Sequence, residues 1–458
     1  MRKRLLSVIL SVVMMLALLP ADIIRADDLG QVVYINFGED FFQGADLYDY
    51  SDSYVDETGE HYTWKWDHAT HTMYLNGYDG PAIAFVGVVG GIAKVNIVLE
   101  NNSVNKISTL YGFPDIGIKY GALNITGPGK LCLKAETFDY YSCIYAGWGV
   151  ADTDVNIENV DIEFDSQGNA GIMAACGNIS ITGKSSLTGN VEIFGLGANN
   201  KVTVDGDVLL DYTVNPNSHP KEQTEAIGTN LNAGIYSNLD DIEIKGNTKV
   251  NIKADGNGIY AIGKKLVLRT SGSVDIDANE FGLRAGTVVS VGGKGDLNIK
   301  NAEFGICAEQ ESVILSGSGK INMEINNNGK VESKLVSGSN YYFTSSAICA
   351  HNDVTINRNG LITVKSIGDN TVNGIEVGGS LFDANGNPIE NKIGDVTILG
   401  KSVVDIDVNG FGIIFGDDEK DHNLLLEGSG SPISIKAGTD KVAILNGKSG
   451  TSCVGGSK

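Results

Sequence analysis

FGICAEQESVILSGSGKINMEI, residues 304–325, decides the fold. It opens on Phe-Gly-Ile-x-Ala, runs into an apolar alternation that closes on Gly317, and ends in a second alternation at 321–325. Alternation with period two is the mark of a strand with one face buried. The same three-part phrase returns along the chain. Its first part reads IGIKY (116–120), SCIYA (142–146), AGIMA (170–174), AGIYS (233–237), NGIYA (257–261), FGLRA (281–285), SAICA (346–350), NGIEV (373–377) and FGIIF (411–415). Its second part reads LNITG (123–127), ISITG (179–183), IEIKG (242–246) and VTILG (396–400). The third reads VDIEF (160–164), VNIKA (250–254), VDIDA (274–278) and ISIKA (433–437).

The central aliphatic of the first part recurs at Ile118, Ile144, Ile172, Ile235, Ile259, Leu283, Ile306, Ile348, Ile375 and Ile413. The regular spacings are 26, 28, 24, 24 and 23 residues, and the gap of 63 from Ile172 to Ile235 predicts further coils around Ile193 and Val202. Three short strands per unit cannot bury an apolar side alone. Stacked, they make three parallel sheets around one core, so the expected fold is all-β: a right-handed, single-stranded parallel β-helix of about eleven coils. Ile and the Ala two positions on face inward, and the Gly before Ile is expected at a corner that needs unusual dihedrals. An immunoglobulin-like sandwich has no reason to repeat one phrase every two dozen residues.

Residues 1–26 have a basic head (Arg2, Lys3, Arg4), an apolar run from Leu5 to Leu19 and small residues at Ala21 and Ala26, the pattern of a secretory signal peptide. Its removal takes four cations and one anion from a chain of net charge −22, leaving −25 with only Arg269, Arg284 and Arg358 as arginines. Such a chain is unsuited to nucleic acid, which needs many cationic phosphate contacts. The mature chain shows no transmembrane segment and is expected to be secreted or extracellular, with association to a cell surface left open. Residues 27–80 read as a cap and first coil, and 81–458 as the β-helix, interrupted by insertions at 211–232, 326–346, 379–394 and 416–423.

Trp64, Trp66, Asp67, Thr72 and Leu75, followed by NIVLE (96–100) and GALNITGPGKLCL (121–133), resemble a group of secreted bacterial proteins. These are right-handed parallel β-helices labelled carbohydrate-binding and similar in shape to polysaccharide lyases. The resemblance covers residues 60–445 and rests on structural motifs. It implies the pectate-lyase-like fold and a glycan partner.

In Gly-Ile-x-Ala, x points outward. Down the stack it gives Lys119, Tyr145, Met173, Tyr236, Tyr260, Arg284, Cys307, Cys349, Glu376 and Ile414. An exposed tyrosine column with a charged neighbour can stack sugar rings and fix their orientation. Tyrosine also simply suits an exposed strand position. The insertions border this face and carry Tyr341, Tyr342, Phe343 and Phe382. The expected ligand-binding set is Tyr145, Tyr236, Tyr260, Arg284, Glu376, Tyr341 and Tyr342.

Catalysis would draw on Asp417, Asp418, Asp421 and His422 in GDDEKDHN (416–423) as hydrolase acids, or on Arg284 with Glu376 in a lyase. The loop is followed by no Gly-His-Gly or Arg-Ile-Lys partner, and Arg284 and Glu376 are several coils apart, so no catalytic residue is assigned. Calcium is a candidate ion at Asp49, Asp52 and Asp56 or at Asp275/Asp277 and Asp405/Asp407, although no run has the spacing of a known calcium loop. Cys307 and Cys349 occupy the same slot of adjacent coils and are a candidate disulfide. The expected function is non-catalytic binding of a polysaccharide or cell-wall glycan in a groove on one face. A polysaccharide lyase or glycoside hydrolase on that face, and a cell-surface adhesin or scaffold, are the alternatives.

Overall fold

The computed structural model describes residues 32–36, 50–51, 54–56, 59–67, 69–86, 94–109, 114–118, 121–135, 142–147, 153–166, 170–215, 232–328, 340–341, 344–382, 388–392, 394–416, 422–428, 432–446 and 451–452. The leader at 1–26 lies outside them, as do 216–231, 329–339, 342–343, 383–387, 393 and 417–421 of the insertions. The chain divides into two compact units, Met1–Asn232 and Ala233–Lys458. Both are built from the three-strand coil, and nearly all strands belong to three sheets of 15, 13 and 15 strands. This is the three-sheet parallel β-helix that the repeats predict. Among the described residues no helix is long and apolar enough to cross a membrane.

In the second unit the first strands are Ala233–Ser237, Asn257–Ala261, Phe281–Ala285, Phe304–Ala308, Ser346–Ala350, Asn373–Val377, Ile413–Phe415 and Ile444–Asn446. Each is parallel to the next, with Ile235, Ile259, Leu283, Ile306, Ile348, Ile375, Ile413 and Ile444 in register. From Ile235 to Ile413 these side chains are fully buried. A continuous aliphatic stack of this kind is what burying one face of every strand produces.

The first unit corrects two alignments. Ile116, not Ile118, pairs with Ile144, so Gly117 rather than Lys119 lies beside Tyr145. The slip is two residues, which keeps every side chain on its own face and therefore leaves no trace in the alternation. The long gap is filled by one coil, whose first strand Phe194–Ala198 pairs Leu196 with Ile172. Its sequence, FGLGA, is the repeated phrase with Gly197 in the outward slot.

The glycines divide into two kinds. Those closing second strands, Gly183, Gly246, Gly317 and Gly400, have φ of +68°, +67°, +87° and +68° and turn the chain in a region that L side chains avoid. The glycine before the central aliphatic is different from the expectation. At Gly258 φ is not in the left-handed region, but a Cβ would lie 2.4 Å from Ile276 Cγ2 and 2.5 Å from the carbonyl oxygen of Gly282 in the next coil. Close approach, not a special dihedral, excludes a side chain there.

The third-strand sheet of the second unit carries an outward charge ladder. Lys253, Asp277, Lys300, Glu324, Lys365, Asp407 and Lys436 are successive register partners, alternating in sign without a break. Beside it, Asn322 donates to Asn298 at 2.8 Å and Asn298 to Asp275 at 2.7 Å. In the first unit the second strands carry a similar amide ladder, with Asn156 donating to Asn124 and Asn124 to Asn96, both at 2.9 Å. Identical spacing of every rung lets polar side chains satisfy one another along the stack.

Candidate functional site

Most of the outward column of the first strands is buried, while Met173, Arg284 and Ile414 are half-buried. Tyr145, Tyr236 and Tyr260 are 9%, 5% and 7% exposed, and Glu376 is 8% exposed. This corrects the exposed aromatic column expected from the repeats: alternation tells which side of a strand a residue faces, not whether that side is covered. Faces this buried present little ring area for stacking.

The column is instead internally paired. The Arg284 guanidinium lies 4.3 Å from the ring centre of Tyr260 and 4.2 Å from that of Phe281. Its Nε donates to Glu309 Oε1 at 2.5 Å, and the Tyr260 hydroxyl donates to the same oxygen at 3.4 Å. Burial pushes the Glu309 carboxyl up to about 7 against the opposing pull of Arg284, and it raises the Tyr260 phenol. Although burial disfavours its charge, Arg284 is held above its ordinary range by Glu309 and its other neighbours. Glu376 lies three register steps away, past Cys307 and Cys349, and does not join this network. It accepts hydrogen bonds from the hydroxyls of Ser346 and Thr344 at 2.6 and 2.7 Å, and burial pushes its carboxyl up. Glu309, one position past the Phe-Gly-Ile-Cys-Ala phrase, is the partner that the repeat alignment missed.

Cys307 and Cys349 are register partners, as expected, and both are free thiols in the structure. They form an apolar cluster with Phe281 and Phe304, whose rings stack at 4.7 Å. Burial pushes the Cys349 thiol well up, and hydrogen bonding to Cys307 adds to this. Thiolates are the reactive form. Native protein treated with a maleimide at pH 8 is therefore expected to label Cys176, which is partly exposed, and to leave Cys349 unlabelled until denaturant is added. Peptide mapping by mass spectrometry checks this.

The insertions meet one another. Asn340–Tyr341 pairs antiparallel with Gly379–Phe382, which pairs in turn with Pro388–Lys392. Tyr341 thus lies in a small added sheet, while Tyr342 falls outside the described residues. Of GDDEKDHN, Asp417, Asp418 and Asp421 also fall outside them. His422 packs on Phe415 at 5.3 Å, and its Nδ1 lies 2.9 Å from the carbonyl of Gly394 as donor, a structural placement. Among the described residues no three His, Cys, Asp or Glu side chains converge as metal ligands. Asp275 and Asp277 accept from Asn298 and Asn301, respectively, each at 2.7 Å.

An open hollow lies elsewhere, on the outward face of the hairpin Trp64–Asp67 and Thr72–Leu75. Trp66, Met73 and Leu75 point into the core and are 1%, 0% and 0% exposed. Alternation then turns Lys65, Asp67 and Tyr74 outward, with Lys65 directly opposite Tyr74 across the antiparallel pair. Tyr62, just before the hairpin, and Glu100, just after Lys94–Leu99, complete the lining of a hollow of about 380 Å³. The Tyr62 hydroxyl donates to Glu100 Oε1 at 2.9 Å. Asp67 accepts from the Thr70 hydroxyl at 2.8 Å and from the Ala69 amide at 2.9 Å, and Thr70 holds its carboxyl below the usual range. The hollow therefore combines two phenol rings, an ammonium and two oriented carboxyl groups. This set can bracket a polyhydroxylated ring by stacking and by donors and acceptors. The repeats do not point to it, because it is built where the chain departs from them. No protein family, no curated protein and no solved structure matches the chain.

Proposed function

We propose that the protein is a secreted, non-catalytic carbohydrate-binding β-helix whose glycan site is the hollow lined by Tyr62, Lys65, Asp67, Tyr74 and Glu100. The observation that carries the reading is this open convergence of aromatic and polar side chains, set against the closed tyrosine column. The net charge of −25 that remains without residues 1–26 favours neutral glycans over polyuronates, unless a cation bridges them. Tyr62 and Asp67 are already held by Glu100 and Thr70, so the rim is ordered before a ligand arrives.

The test is retention of the secreted chain by a panel of polysaccharides, with and without calcium, while new reducing ends and unsaturated products are measured. Retention without products is expected, and Tyr74→Ala is expected to weaken binding about tenfold, the range of one stacking contact with its buried area. Released products, or retention untouched by Tyr74→Ala and Tyr62→Ala together, would overturn the reading.

A further inference from the structure

We propose that the charge ladder of the second unit is a self-complementary surface on which two copies of this chain meet face to face. Lys253, Lys300, Glu324, Lys365, Asp407 and Lys436 are exposed, and Asp277 is half-buried. Within the ladder, Lys436 pairs with Asp407 at 3.4 Å. Among the described residues Lys253, Lys300, Glu324 and Lys365 close no ion pair, so their charges remain available to a partner.

The partner is identified by period and sign. Rungs of a parallel sheet are about 4.8 Å apart, so like charges recur about every 9.6 Å along a straight line. Another face with that repeat and alternation is this face itself. A two-fold axis between the Lys300 and Glu324 rungs sets Lys253 opposite Asp407, Asp277 opposite Lys365 and Lys300 opposite Glu324, and symmetry repeats each pair. Moving one copy by one rung sets like against like, so the ladder specifies register as well as contact. Exposed ion pairs are individually weak, so several rungs must engage together and the association is weak and reversible. The net charge of −25 that the secreted chain carries opposes it at long range. At 0.15 M salt, however, the Debye length is about 8 Å, which screens distant faces more than contacting pairs. Association should therefore peak near that salt and disappear at about 1 M, where the length is about 3 Å.

The experiment is sedimentation equilibrium of the full secreted chain across salt, with two charge-reversed variants whose fold is checked by circular dichroism. K300E/K365E makes the interior rungs uniformly acidic. E324K/D407K makes most of them basic. The wild type is expected to dimerise at 0.15 M salt, and each variant alone to associate at least tenfold more weakly. The two variants mixed are expected to recover a dimer, which a folding defect could not produce. A wild type that stays monomeric up to about 1 mM, variants that associate as the wild type does, or a mixture that fails to recover would each overturn the proposal.

Discussion

Arg284→Met is expected to lower stability by about 3–5 kcal/mol at pH 8.5, and by clearly less at pH 6. Removing the guanidinium leaves Glu309 buried with its nearest cation gone, and a buried charge without its partner is among the largest single defects a fold can carry. The pH dependence follows from the direction of the carboxyl shift. Glu309 is raised from 4.5 to about 7 in the folded chain, so the folded state holds a proton that the unfolded state has released. Stability from this group is highest below the unfolded value and falls as pH rises to about 7, after which it levels. In the variant the downward pull of Arg284 is absent and the folded value lies higher still. The variant therefore goes on losing stability above pH 7, where the wild type has levelled, and the gap between them widens. Urea unfolding at the two pH values measures this gap, and a gap independent of pH would show that Glu309 is not the group left exposed to the loss.

Gly258→Val should cost about 3 kcal/mol, although valine has far the higher strand propensity. A Cβ there meets the backbone oxygen of Gly282 at 2.5 Å, and a neighbouring coil cannot swing aside as a flexible side chain can. Gly77 provides the contrast. It has φ of +83° with nothing within 4 Å of an added Cβ, so Gly77→Ala meets only the left-handed penalty of about 1–2 kcal/mol. Urea midpoints of the two variants compare steric exclusion with backbone strain directly. Equal losses would mean that close approach at Gly258 costs no more than the left-handed backbone does at Gly77.

These residues also show what could be read before the structure. Isoleucine at Ile235, Ile259 and Ile306, with two further alternating apolar segments in each repeat, points to three sheets because each alternation needs its own buried face. The gap between Ile172 and Ile235 points to coils around Ile193 and Val202, but the phrase at Phe194–Ala198 does not stand out, because Gly197 takes the place of the large outward residue that makes it recognisable. The role of Gly258 was hidden for a different reason: close approach involves Ile276 and Gly282, which are 18 and 24 residues away in sequence. The repeat gives Tyr236 and Tyr260 the correct side of their strands but not their cover, since burial of an outward face depends on what else lies on it. The hollow at Tyr62, Tyr74 and Glu100 is assembled from a hairpin and the end of a neighbouring strand. Tyr62, Lys65, Asp67 and Tyr74 fall within thirteen residues, but their spacing matches no repeat, and Glu100 joins them only through the pairing of the next strand.

The alternating rungs also give the stack a parity. Deleting the single coil that contains Asp277 would bring Lys253 beside Lys300, whereas deleting the next coil as well would bring Lys253 beside Glu324. The interior sets apolar side chains against apolar ones either way, since Ile276, Ile299 and Met323 share one register. Coils in this stretch can thus be gained or lost in even numbers without electrostatic penalty and not in odd ones. The length of such a protein is then quantised twice, once by the coil and once by the pair.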